Sequence, residues 1–500
     1  MNFRIRYCLC AVLLVAAAFG NGWVGQQLVN RPNGDTFDAQ PTSAVDHSGH
    51  PWVAWVGHYG DTTLLWSRWL DTHWEPQRGV SANAPGVWQR FRPDLAFNEQ
   101  GRAWLVWHNA HEDNTRDIAA CFWDGSRWTP EQQVNQPDST DVDFAPKVAC
   151  GGGQVWCVWY GGPTDVSPYS VFASRWDPER GSWEPETQVS PPDGNEHWWC
   201  DVTVDANGTP HVVWCELAAT DNYPFFINYS YYDGHQWAGP IRVNDTAGVC
   251  AAPWAAPRIV TDREGTMHVC YTGVAVGATG RDIFYSRNDG SGWTPSVRVT
   301  QDTADNYSEW YSDIAADRPD NVWVTWDRQG EGSDQFRVYA AHFDGLLWSS
   351  EQRLDDDSAS RRENCPSVCL DSTGCPWVFW NDESNGGDVY FNRYLGSGVA
   401  EPAAATLNSS PCVIASPNPS TGTVTIECGV PLAPGAGICI FSQDGRQVRR
   451  LAPGLTQPGG SPTTSTWDGT DELGRSVPGG VYLAVVEGQA GVRAKLVKLD

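Results

Sequence analysis

The sequence predicts an all-β chain: a seven-bladed β-propeller of four-stranded blades, then a small C-terminal β-sandwich. Three observations predict it. A unit of the form P-x-apolar-A-x-D-x-x-G-x-x-W-V-x-W, followed by S-R-x-D-G-x-x-W, recurs seven times. The chain carries 50 Gly, 34 Pro and 28 Trp, a turn-rich composition that suits short strands rather than helices. The seventh copy lacks its last strand, and a matching segment stands at the other end of the chain.

The first element is not part of the fold. Arg4 and Arg6 precede the apolar run 8–19, too short to span a bilayer, and Ala16 and Ala18 suit a signal peptidase. Residues 1–20 are therefore expected to be a signal peptide, and the mature protein to be secreted or held at the outer cell surface. No later apolar run is long enough for a transmembrane helix, so a membrane-spanning role is not expected.

Residues 21–400 hold the repeat. Its strand-B aromatic falls at Trp55, Trp107, Trp159, Trp214, Tyr271, Trp326 and Trp380, spaced 52, 52, 55, 57, 55 and 54 residues apart. In the second copy, strand A is 93–98, strand B 102–107, strand C 117–123 and strand D 128–134. Strand B (Trp104-Leu105-Val106-Trp107) is apolar on both faces, as a strand packed between neighbouring sheets must be. Four strands per period of this length suit a propeller better than a solenoid. The missing strand D of the seventh copy is matched by Trp23–Asn30, which aligns with Trp128–Asn135. The N-terminus thus closes the last blade in a 3+1 arrangement that leaves no free sheet edge.

Residues 401–412 read as a polar linker. Beyond it the repeat ends, and β-like runs at 423–428, 437–442, 481–486 and 494–499 give a sandwich over 413–500.

The net charge of −27 argues against nucleic acid as the main partner, which needs a basic surface. Of 15 Cys, Cys8 and Cys10 lie in the signal. Cys150 with Cys157, Cys200 with Cys215 and Cys428 with Cys439 are placed to pair in an exported protein. Asp138, Asp141 and Asp143 present alternating oxygens of the kind calcium uses, but a solvated acidic loop explains them, so no metal or other cofactor is expected.

Two resemblances add expectations. Ser416-Pro417-Asn418-Pro419, Asp444-Gly445-Arg446, Trp467-Asp468-Gly469 through Arg475, Gly480-Val481-Tyr482 and Lys495–Lys498 resemble the Ig-like domain named for the flagellar hook-capping protein. They also resemble the type A sorting domain of the bacterial type IX secretion system. This likeness implies an Ig-like secretion or attachment module that partners the secretion machinery. In the propeller half, Ser286, Asp289, Gly290 and Trp293 resemble the Asp-box of the sialidase/BNR-like superfamily, although Asp and Gly are adjacent here.

Ligands of propellers usually bind the face shared by the D-to-A and B-to-C loops. Those loops carry Arg90, Arg92, Trp198, Trp199, Trp310, Arg328, Arg361 and Arg362 as candidate ligand-binding residues. Aromatic faces stack on the C–H faces of sugars, and charged groups pair with hydroxyls. The expected function is binding of a glycan or a cell-surface protein. The sialidase resemblance implies an alternative, an exo-α-sialidase-like hydrolase, with Tyr311 as nucleophile, Glu309 as its base and Asp113 as acid. Its Arg cluster would be Arg92, Arg328 and Arg361 or Arg362. A non-catalytic adhesin is the third reading.

Overall fold

The computed structural model describes residues 22–29, 38–59, 62–80, 87–136, 141–163, 168–217, 225–244, 249–251, 256–275, 280–301, 307–330, 335–355, 362–383, 387–395, 413–416, 420, 422–428, 437–442, 446–451, 463–486 and 493–499. The expected signal peptide and linker lie outside these residues. The chain is all-β, with no α-helix among the described residues, and divides into two compact units, Met1–Gly398 and Val399–Asp500.

In the first unit each sequence repeat folds into its own antiparallel meander. Repeat 2 is typical: Val87–Phe97 (A), Ala103–His111 (B), Arg116–Phe122 (C) and Gln132–Gln133 (D), paired in that order. Strand A is longer than the sequence suggested. Strand D is much shorter, because Trp128 makes only an isolated bridge to Trp123 before the chain leaves the ladder. The A–B turns share one device. Asp46, Asn98, Asp205, Asp262 and Asp371 each accept hydrogen bonds through Oδ1 from the backbone N–H groups two and four residues on. Gly49, Gly101, Gly208, Gly265 and Gly374 supply the positive φ that each turn requires.

Successive meanders pack through strand B. Trp55, Trp107, Trp159, Trp214, Tyr271, Trp326 and Trp380 are all fully buried. Each neighbouring pair of repeats shares one apolar cluster, including a cluster that joins repeat 7 to repeat 1 through Phe379, Phe391, Val53 and Trp55. Strand A of each repeat lies beside strand A of the next, and that of repeat 7 beside that of repeat 1.

The N-terminal segment completes the last meander. Gln27–Leu28 pairs antiparallel with Asp388–Arg393, and Trp23 bridges Tyr394. Trp23 is buried edge-on against Trp323, and its Nε1 donates to Gln352 Oε1 at 2.6 Å. One strand thereby ties repeat 7 to repeat 6.

Two disulfide expectations fail. Cys150, Cys157 and Cys200 are free thiols. Cys150 faces Val155 while Cys157 faces Val148, so the two cysteines sit on a diagonal about 7–8 Å long, beyond disulfide reach. Cys200 falls inside a strand irregularity, while Cys215 lies opposite Trp198. The side chain of Cys428 lies outside the described residues.

The second unit has two sheets, one of Val413–Ser416, Val424–Cys428 and Thr463–Trp467, the other of Gln447–Leu451, Ile438–Ser442, Gly480–Val486 and Arg493–Lys498. Val424, Ile426 and Trp467 from the first meet Ile438, Ile440, Tyr482, Ala484 and Leu496 from the second in one core.

Trp23→Ala removes a buried indole and its hydrogen bond from the closing strand. The expected cost is about 3–5 kcal/mol. It would be measured as a lower midpoint in denaturant unfolding of the full chain, with unchanged folded-state circular dichroism.

Candidate functional site

Strand A carries the same irregularity in repeat after repeat. The register slips between Ala39 and Thr42, Phe91 and Asp94, Phe144 and Lys147, Trp198 and Asp201, Glu309 and Ser312, and Asn364 and Ser367. Gln40, Arg92, Ala145, Trp199 and Cys365 stand inside these bulges with φ of 55°, 50°, 45°, 49° and 53°. Positive φ is uncommon for residues with a Cβ, and bulges re-aim side chains.

The kink sorts the loop residues into two classes. Two positions before the bulge residue, Asp38, Arg90, Asp143, His197, Glu309 and Glu363 are all buried. They act as scaffold. Asp38 accepts from Trp55 Nε1, His197 from Trp214 Nε1, and Arg90 stacks on Trp107 while pairing with Glu131 at 2.6 Å. The bulge residues themselves, with Tyr311 in repeat 6, line a cavity of about 230 Å³ built from the first strand of every repeat.

Two residues past the bulge, Thr42, Asp94, Lys147, Asp201, Arg258, Asp313 and Ser367 line the same cavity. Lys147 Nζ reaches Asp94 at 2.7 Å and Arg258 Nε lies 3.5 Å from Asp313. Their carboxylates also cross to the next repeat. Asp94 accepts from Val148 N–H, Asp201 from Ile259 N–H and Asp313 from Val368 N–H, at 2.8–2.9 Å. Burial pushes Asp201 up to about 6 despite Arg258 beside it, and raises Asp313 as well.

The cavity opens through an aromatic mouth of Arg92, Trp199, Trp310 and Tyr311, enclosing about 250 Å³. The Arg92 guanidinium lies 4.6 Å from the Trp199 ring centre and 5.6 Å from that of Tyr311. Its backbone N–H donates to Gln40 Oε1. Beneath the mouth, Asp327 is fully buried and accepts the backbone N–H groups of Tyr311 and Cys365 at 3.1 and 3.0 Å. Burial pushes its carboxyl up to about 7, against the pull of those two donors.

The predicted residues are thereby dispersed. Arg92, Trp199, Trp310 and Tyr311 come together at the mouth. Arg90 is wholly buried in its pair with Glu131. Arg328 is buried between Glu309 at 2.6 Å and Glu351 at 2.8 Å, so Glu309 faces a guanidinium rather than the mouth. Trp198 donates to Glu196. Asp113 sits in an exposed turn, bonded to Thr115, and does not line the cavity. Arg362 is exposed and 3.5 Å from Glu383. Arg361 lies outside the described residues, as do Asp138 and the side chain of Asp141, while Asp143 accepts from Asn135. Among the described residues, Arg92 and Arg258 are the arginines that line the cavity. Sequence reasoning missed the whole ring from Asp94 to Asp313. Its signal was present: each member is the residue directly after the repeat's strand-A proline or that proline's equivalent.

No protein-family model matches the chain, and no curated protein matches it. Among solved structures, an ulvan lyase described as a new family of polysaccharide lyase is similar at 10% identity. The match covers 73% of this chain and 95% of that one, with a TM-score of 0.50. A protein of unknown function from Dyadobacter fermentans is 11% identical over 75% and 98% of the two chains, with a TM-score of 0.45. A Trypanosoma rangeli sialidase is 13% identical over 85% and 87%, with a TM-score of 0.42. At such identity the first likeness concerns fold alone, and the two weaker ones add nothing to it.

The buried carboxyls make stability depend on pH. Asp201 and Asp327 titrate near 6 and 7 in the folded chain, against about 3.9 unfolded. Folding therefore binds protons, so their contribution is full below about pH 4 and is lost as pH rises through 6 to 7. Asp327→Asn gives up one acceptor at every pH but removes its share of the slope, up to about 4 kcal/mol. Urea unfolding of both proteins across this range checks it: the variant's stability curve should be the flatter one.

Proposed function

We propose that the repeats form a seven-bladed β-propeller closed by the N-terminal strand, and that its axial mouth binds a glycan. The side-by-side succession of first strands, with repeat 7 returning to repeat 1, supports the propeller. The observation that carries the binding reading is the convergence of Trp199, Trp310 and Tyr311 around the Arg92 guanidinium. Concave sites that combine apolar faces with a few fixed polar groups are what small ligands occupy. Sugar rings suit this one, because their C–H faces stack on indole and phenol rings while their hydroxyls accept from a guanidinium.

Binding is favoured over hydrolysis by the surroundings of Tyr311. The carboxylate proposed as its base, Glu309, is engaged by Arg328, and the proposed acid, Asp113, stands in an exposed turn. In this reading the protein is exported, and its C-terminal two-sheet unit is an Ig-like module for secretion or surface attachment. That assignment rests on its motif resemblance and on Trp467, which anchors the WDG segment by donating to Thr470 O.

A glycan array probed with the full chain, followed by titration of the best ligand, tests the reading. Trp199→Ala should weaken binding about tenfold or more, equivalent to roughly 1.4 kcal/mol. Hydrolysis of a fluorogenic sialoside that Tyr311→Phe abolishes would replace binding with catalysis.

A further inference from the structure

The mouth is the middle of a longer strip. Arg116 lies 4.8 Å over the Phe144 ring, and Phe144 stacks on Tyr160 at 5.3 Å. Tyr160 meets Trp199 at 5.7 Å, and Trp199 carries Arg92. On the other side Arg92 reaches Tyr311, whose neighbour Trp310 carries Arg281 at 3.9 Å. Aromatic rings thus run between three guanidiniums contributed by repeats 2 and 5, over rings from repeats 3, 4 and 6.

These arginines differ from their neighbours in what they lack. Arg90 and Arg328 are each neutralised by glutamates. Arg92, Arg116 and Arg281 form no ion pair with a carboxylate among the described residues; each is held by an aromatic face. A guanidinium stacked on a ring keeps its charge and its in-plane donors available for a carboxylate or sulfate. Two of the charges act on one group: Arg92 and Arg116 both help, after burial, to push His108 down to about 3, so that imidazole is neutral. The strip concentrates positive charge on a chain whose net charge is −27. A local field in a cleft, rather than net charge, decides what binds there.

We propose that the ligand is an extended acidic glycan, a uronate- or sulfate-bearing oligosaccharide lying along the strip, with anionic groups at Arg116, Arg92 and Arg281. This rests on the glycan reading above and gives it a substrate class and a length. Single-stranded nucleic acid also pairs stacking with charge. It is the less fitting ligand, because the acidic remainder of the surface repels a long polyanion that extends beyond the strip.

The test uses the full chain and four probes: a chondroitin sulfate oligosaccharide, an oligogalacturonate, a neutral cello-oligosaccharide of matched length, and a single-stranded oligothymidylate. Titrations run from about 50 mM to about 300 mM salt, where screening of exposed charges becomes strong. The expected result is selective binding of at least one acidic oligosaccharide, weakening several-fold with salt. Arg116→Gln and Arg281→Gln should each weaken it about five- to tenfold, and Arg281→Lys less. Melting temperatures of these rim variants, expected to match the parent, exclude misfolding. Neutral and acidic oligosaccharides bound equally, with both Gln variants silent, would overturn this inference and leave the glycan reading standing. Preference for the oligothymidylate would overturn it in favour of nucleic acid. If no probe and no array glycan binds, both readings fall together.

Discussion

The backbone kink in the first strand of six of the repeats decides where the residues around the cavity point. A regular strand would send residues two apart to the same face. Inserting one residue breaks that parity, so Arg90 and Arg92, both arginines on one strand, meet opposite fates. Arg90 becomes the buried partner of Glu131 beneath Trp107, and Arg92 lines the cavity. The same division separates His197 from Trp199 and Glu309 from Tyr311. Backbone held at positive φ in residues with a Cβ costs on the order of 1–3 kcal/mol each. The surrounding sheets offset that cost through buried indoles and strand ladders.

Around the cavity the kinked strands are stitched by charge. A carboxylate in one repeat accepts a backbone N–H from the next, and a cationic or hydroxyl group from an adjacent repeat completes its coordination. Repeat 7 joins repeat 1 more simply, through Ser367 Oγ and the backbone and hydroxyl of Ser43. Removing one partner of such a buried set leaves a stranded charge, which costs far more than the pair contributes. The apolar clusters between repeats supply cohesion, and the charged ring around the cavity fixes how the first strands sit against one another.

Much of this was legible in the sequence and some of it was not. The period, the buried strand-B tryptophans, the Asp-to-Gly turns and the returning N-terminal strand all follow from residue identity at fixed spacing. They are local, repeated and tied to strong preferences, so seven copies reinforce one reading. The site followed another logic. Arg90, Glu309 and Arg328 look as suitable as Arg92 and Tyr311 when a loop is read as a string, because composition carries no record of a one-residue bulge. The Cys150–Cys157 pairing failed for a related reason: the two flank a turn, but ladder register, not sequence distance, decides which side chains meet. The repeat did hold the missing clue. The strand-A proline marks the kink, the residue before it lines the cavity, and the residue directly after it belongs to the charged ring.

The returning N-terminal strand also imposes a schedule on synthesis. Gln27 and Leu28 emerge early, yet their partners Phe391 and Tyr390 arrive roughly 360 residues later. At about 5–20 residues per second, the opening strand waits on the order of 20–70 s for its place in the sheet. During that interval repeats 1 to 6 can assemble in order, each against the one before it. The final meander has only three strands until the oldest part of the chain comes back to it. Maturation is thus gated by the far end of the polypeptide, and a chain broken off before residue 388 leaves its first strand without a partner.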